Sequence, residues 1–174
     1  IRPSRGLGDV YKRQEIIKAS DKYNSNQYLI NRLSKNGQRY LYYTVKEGLR
    51  KNLPVELSLI PFVESQFDPY ARSATGASGI WQFIPSTARE NGLKKNWWYD
   101  GRRDIVASTE AAYGFLSKLY DRYGDWLIAI AAYNAGPSRI KKEIEKNKKN
   151  GLPTDFWSLN PVSYTHLTLP TNDQ

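Results

Sequence analysis

The run Leu57-Ser58-Leu59-Ile60-Pro61-Phe62-Val63-Glu64-Ser65 carries a single carboxyl at the end of an otherwise apolar stretch. On a helix, positions 57, 60, 61 and 64 share one face, spaced i, i+3, i+4, i+7. That face is apolar except for Glu64. A carboxyl so placed is desolvated, which raises its pKa and keeps it protonated as a candidate general acid. A structural glutamate bonded to a backbone group or an arginine fits the same pattern.

At 174 residues the chain is the size of one domain with a real core. Strand signals are few, while Ala, Leu, Lys, Glu and Tyr recur at helical spacing. The expected fold class is all-α, with at most a short extended segment near 79–84. There is no cysteine, which excludes disulfides, thiolate metal sites and cysteine nucleophiles and leaves the redox compartment open. His166 is the only histidine, so histidine metal sites and Ser-His-Asp triads are excluded. No apolar stretch approaches the roughly 20 residues of a membrane span, and no signal peptide is visible. The absence of methionine suggests a fragment or a processed chain.

The formal net charge is +9, most of it in the first fifty residues. A second basic cluster comprises Arg139, Lys141, Lys142, Lys146, Lys148 and Lys149, diluted by Glu143 and Glu145. Such a cluster reads either as a solvated helix face or as attraction to a polyanion: nucleic acid, an anionic membrane or an acidic wall polymer.

The ends differ from the middle. Residues 1–14 and 161–174 lack helical periodicity and resemble translated sequencing-adapter sequence, so both are set aside, His166 with them. Residues 15–40 read as an N-terminal helical arm and 41–160 as the main domain. Within these, Asn26 to Leu33 reads as a helix ending near Asn36-Gly37. Arg39 to Lys51 reads as a second, with Tyr42, Val45 and Leu49 on one stripe. Pro54 suits the first turn of a third that reaches Glu64 and should be kinked by Pro61. Ser86 is expected to cap a helix to Glu90, Asp104 one from Ile105 to about Tyr123, and Asp125 one from Trp126 to Asn134. Gly136-Pro137 stops that helix and starts the next, to about Lys149.

Two further segments carry chemistry. Gly76 and Gly79 bracket a tight loop, after which an extended piece would point Ile80 and Gln82 one way and Trp81 and Phe83 the other. Gln82 could then offer its amide to a ligand beside an aromatic wall; a purely structural loop is the alternative. On the helix from Trp126, positions 126, 129, 130 and 133 share a face, so Tyr133 points inward and its hydroxyl needs a partner. That partner is either a backbone carbonyl or Glu64.

Taken in order, these segments resemble the lytic transglycosylase domain of the soluble-lytic-transglycosylase superfamily, nearest its membrane-bound D branch. The resemblance runs from about Leu41 to Asn160. It is carried by Leu53-Pro54-x-Glu56-Leu57, Pro61-x-Val63-Glu64-Ser65-x-Phe67-x-Pro69, the block from Gly76 to Phe83 with Pro85-x-Thr87-Ala88, Asp100-x-Arg102-Arg103-Asp104, Thr109-x-Ala111-Ala112, Gly124-Asp125-Trp126 and Ala131-Ala132-Tyr133-Asn134-Ala135-Gly136. It implies a lysozyme-like helical lobe with a glycan cleft, acting on peptidoglycan in the bacterial cell envelope as a monomer. Metal, cofactor and nucleic acid are not expected. Glu64 matches the catalytic acid and Tyr133 the tyrosine that orients it. Ser73 and Gln82 match residues that bind substrate near the scissile bond. Ser65, Phe83 and Asn134 are grouped with them, Ser65 and Asn134 in mostly structural roles. The resemblance further implies cleavage without water, one glutamate serving as acid and then base, and a basic surface suited to anionic wall or phospholipid.

The rival on the same scaffold is a hydrolytic muramidase. It would need a second carboxyl from Asp68, Glu90, Asp100 or Asp104, about 6.5–9.5 Å from Glu64 for inversion by water. A non-catalytic wall-binding module would instead show Glu64 exposed or paired with an arginine.

Overall fold

The computed structural model describes residues 27–159. Its elements are α1 (Gln27–Arg50), a 3₁₀ turn (Val55–Leu59), α2 (Ile60–Ser65), α3 (Pro85–Glu90), α4 (Ile105–Tyr123), α5 (Trp126–Ala135) and α6 (Pro137–Lys149). The all-α expectation holds. Among the described residues, β pairing is confined to isolated bridges: Arg72 with Ser78, Ser78 with Phe83, and Lys95 with Asp100. The adapter-like segments 1–14 and 161–174 lie outside the described residues.

The start signals at α4 and α5 act as read. Asp104 accepts from the Ala107 N–H at 2.9 Å, and Asp125 from those of Leu127 at 2.7 Å and Ile128 at 3.1 Å. Each satisfies donors that the first helical turn leaves unpaired. Gly136, at φ 92°, closes α5 and opens α6 ahead of Pro137.

Four local expectations fail. The stop at Asn36-Gly37 is absent: α1 continues through it, and Asn36 Nδ2 donates to the Gln66 carbonyl at 3.1 Å. That tertiary bond, with Gly37 itself buried, overrides weak local propensity. Tyr42 and Leu49 are exposed; α1 instead buries Thr44 and Gly48. The Tyr113 ring sits so close that a Cβ on Gly48 would lie 3.2 Å from its hydroxyl. Finally, the third helix is split into the 3₁₀ turn and α2. Pro61 falls in the first turn of α2, where a missing N–H breaks no bond, so it does not act as a kink. Likewise Pro85 opens α3 without a side-chain cap, so Ser86 is not the cap residue.

The core has two joined parts. Leu57, Ile60, Ile80, Trp81, Phe83, Tyr113 and Leu116 fill one. Leu119, Ile128, Ala129, Ala132, Ile140 and Leu159 fill the other. α4 runs through both, and the alanines of α5 let it approach α4 closely. The Tyr113 hydroxyl donates to the Thr44 carbonyl at 2.6 Å and meets Ser58 Oγ at 3.1 Å. This ties α1, the 3₁₀ turn and α4 around the base of α2.

Candidate functional site

Glu64 stands in the last turn of α2. The helix ends at once because Gln66 takes φ 55° and Phe67 φ 58°, while the N–H groups of Gln66 and Phe67 close on the carbonyls of Phe62 and Pro61. Two successive non-glycine residues in the left-handed region are costly, by about 1 kcal/mol or more each. That strain sits directly after the carboxyl. Glu64 is half-buried, and burial alone lifts its pKa from 4.5 to about 7. Among the described residues it has no ion-pair partner, and no second carboxylate contributes to the shift.

Residues 71–83 form the adjoining surface. The Gly79 N–H donates to the Ala71 carbonyl at 3.1 Å, the Ser78 N–H to the Phe83 carbonyl at 3.1 Å, and the Gln82 N–H to the Gly79 carbonyl at 3.2 Å. Residues 79–82 therefore make a turn rather than the extended piece expected, and Gln82 itself has φ 49°. Trp81 and Phe83 do not form a ligand-facing wall, because both are buried in the core. The indole N–H of Trp81 donates to Thr109 Oγ1 at 3.0 Å.

Two successive carbonyls of this turn bring the sequence-distant segments together. Ser65 Oγ lies 2.9 Å from the Ile80 carbonyl and 3.0 Å from that of Pro61. The Tyr133 hydroxyl donates to the Trp81 carbonyl at 2.7 Å. Of the two partners open to Tyr133, its proton goes to the backbone rather than to Glu64. Glu64 is nevertheless close enough that its charge, after burial, holds the phenol well above its ordinary pKa. Tyr133 also packs edge-on to Phe83, with ring centroids 6.1 Å apart. α2 and α5 thus grip the same turn from two sides, with the carboxyl beside it. Tyr133→Phe should leave the Trp81 carbonyl without its donor and cost about 1–3 kcal/mol in urea unfolding.

The remaining predicted residues separate. Ser65 is buried and bonded internally, so it positions the turn and does not face a ligand. Phe83 is core, as its burial requires. Ser73 is engaged within its own loop, meeting Thr75 Oγ1 at 2.9 Å and accepting from the Ala77 N–H at 3.0 Å. Gln82 Nε2 donates to the Gly79 carbonyl at 2.7 Å and the Ala71 carbonyl at 3.3 Å, leaving acceptor chemistry at Oε1. Asn134 is exposed on α5.

One residue enters the sequence reading only within the motif Asp100-x-Arg102-Arg103-Asp104. Arg102 is buried and forms a two-pronged pair with Asp100, at 2.9 and 2.6 Å. Its Nη1 also donates to the carbonyls of Gly76 at 2.7 Å and Phe83 at 3.2 Å. It clamps both ends of the loop beside Glu64. The i, i+2 spacing of Asp100 and Arg102 was the available signal. Of the other carboxyls, Asp104 caps α4, Asp68 accepts from the Tyr70 N–H at 2.9 Å, and Glu90 is exposed.

Comparison with known proteins places these features in context. Residues 42–154 match the family model for the transglycosylase SLT domain. The chain is 46% identical over 145 residues to membrane-bound lytic murein transglycosylase D of Escherichia coli (strain K12), covering 83% of this chain and 32% of that protein. It is 45% identical over 122 residues to a protein of Alteromonas sp. (strain M-1) named for tributyltin chloride resistance, covering 68% and 59%. Among solved structures, an inactive mutant of lytic transglycosylase Slt from Pseudomonas aeruginosa aligns with TM-score 0.49 and 30% identity, over 66% of this chain and 19% of that one. The chain therefore spans about a third of the length of the Escherichia coli relative.

Proposed function

This chain belongs to the transglycosylase SLT domain family, and on that premise we propose that it cleaves peptidoglycan glycan strands in the bacterial envelope without hydrolysis. The observation that carries this reading is one half-buried carboxyl, lifted to about 7 by burial alone, beside a turn held by Ser65, Tyr133 and Arg102.

Most glycosidases divide acid and nucleophile or base between two carboxyls. Here one group serves in turn. Protonated Glu64 gives its proton to the glycosidic oxygen between N-acetylmuramic acid and N-acetylglucosamine, and that bond breaks. The muramoyl 2-acetamido oxygen assists at the anomeric carbon. The Glu64 carboxylate then takes the proton from the C6 hydroxyl of the same sugar, whose oxygen closes on the anomeric carbon as a 1,6-anhydro ring. The proton count returns to its start and no water is consumed. A pKa near neutrality suits both halves of the cycle.

In this reading Tyr133 and Ser65 are positioning residues, acting through the turn they hold. Gln82 and Ser73 are substrate-side candidates, and Asn134 is the exposed member of the set. The commitments of Asp68, Asp100 and Asp104 to local hydrogen bonds or ion pairs weigh against a hydrolytic pair. No described helix is long and apolar enough to cross a membrane. Digestion of purified sacculi should release muropeptides with 1,6-anhydro ends, identified by mass spectrometry. Products carrying only reducing ends would overturn the proposal.

A further inference from the structure

Trp97 and Trp98 are 90% and 68% exposed, whereas Trp81 is fully buried in the core. Their turn is well built. The Asn96 N–H donates to the Tyr99 carbonyl at 2.8 Å. Asn96 Oδ1 accepts from the N–H groups of Trp98 at 3.1 Å and Tyr99 at 2.7 Å. The backbones of Lys95 and Asp100 pair as an isolated antiparallel β-bridge across its base. The two indoles meet edge to face, centroids 4.6 Å apart. Two large rings left in water add little to the core, and an exposed apolar surface on a well-bonded turn marks a contact site.

Trp97 also lines a groove of about 570 Å³ together with Ala88, Arg89, Leu93, Lys95 and Asn96. That volume lies within the roughly 300–1,000 Å³ range of ligand clefts. Neither Glu64, Gln82 nor Tyr133 lines it. Asp100, at its edge, is neutralised by Arg102, so the charge presented is that of Arg89 and Lys95, with Lys94 adjacent in the chain. Tryptophan and lysine together also suit a membrane interface. A flat bilayer, however, would leave the groove and its polar lining unused.

We infer that the Trp97–Trp98 turn and its groove form a second contact for peptidoglycan, separate from the cleavage site. The indoles stack on pyranose faces, and Arg89 and Lys95 take carboxylates of the acidic stem peptides. The inference rests on peptidoglycan being the substrate. It gives the domain a hold on the sacculus beyond the strand being cut.

Binding is best measured in a Glu64→Gln background, where strands are held without being cleaved. Adding Trp97→Ala and Trp98→Ala together should weaken co-sedimentation with purified sacculi by about tenfold, the scale of one aromatic hot spot. Both residues are exposed, and circular dichroism should report an unchanged fold. Unchanged sacculus binding would overturn the inference. So would loss of binding to vesicles of phosphatidylethanolamine and phosphatidylglycerol while sacculus binding persists, since that identifies a membrane contact. Absence of 1,6-anhydro ends from wild-type digests is a separate result: it would sink the cleavage reading and leave a Trp-dependent hold on sacculi standing.

Discussion

Glu64→Gln should abolish release of 1,6-anhydro products and, in neutral to alkaline solution, make the protein more stable. Loss of a positioned acid–base group removes about 10²–10⁴-fold of rate, and here the same group is needed twice. The stability gain follows from the raised pKa. Unfolded, Glu64 ionises near 4.5; folded, near 7. Between those values the native state holds a proton that the unfolded chain has lost. Stability therefore falls as pH rises through this window, by about 1.4 kcal/mol per unit. Below 4.5 both states are protonated and the contribution is nil; above 7 it levels off at a cost of about 3 kcal/mol. Glutamine is neutral throughout and bears no such cost. Urea unfolding should thus show the variant ahead of wild type above pH 7 and level with it below 4.5. The wild-type kcat/KM should fall about tenfold per unit above pH 7, as the acid form is depleted. Equal stability at all pH values would mean that Glu64 is not desolvated.

Much of this was readable from local chemistry, and the reasons are specific. Asp104 and Asp125 announced α4 and α5 because a cap is satisfied within three residues of itself. Glu64 stood out because a carboxyl breaks a helical apolar stripe. What escaped was set by atoms far apart in sequence. Asn36-Gly37 looked like a stop until the Gln66 carbonyl, thirty residues on, supplied a partner. Tyr133 was rightly expected to need an acceptor, yet only the fold decides between a carboxylate and the Trp81 carbonyl. The 79–83 segment reads as extended in sequence, but the Ser78 N–H donates to the Phe83 carbonyl and turns it back on itself. Arg102 offered only its i, i+2 spacing from Asp100, because its function is to reach the carbonyls of Gly76 and Phe83 across the loop.

Gly79→Ala should destabilise the fold far more than Gly92→Ala, although both glycines occupy the left-handed region, at φ +83° and +80°. At Gly92 an added Cβ meets nothing within 4 Å, so alanine there incurs only conformational strain, about 1–2 kcal/mol. At Gly79 the same atom would lie 1.7 Å from the Arg102 carbonyl oxygen and 2.7 Å from its carbon. Backbone cannot yield as a flexible side-chain tip does. Either the 71–83 loop or the segment leading into α4 must move, and each is fixed by the Asp100–Arg102 clamp. Displacing it would expose a buried ion pair and strand the Gly76 and Phe83 carbonyls, a loss on the order of 3–5 kcal/mol. The Ile80 and Trp81 carbonyls would shift away from Ser65 and Tyr133, so activity should collapse even under conditions where the variant stays folded. Urea unfolding of the two variants isolates the contact, because their strain is common and only the collision differs. If Gly79→Ala proves no worse than Gly92→Ala, the close passage of the loop over Arg102 does not exist. The carboxyl at Glu64 would then lack the rigid surface against which it is proposed to work.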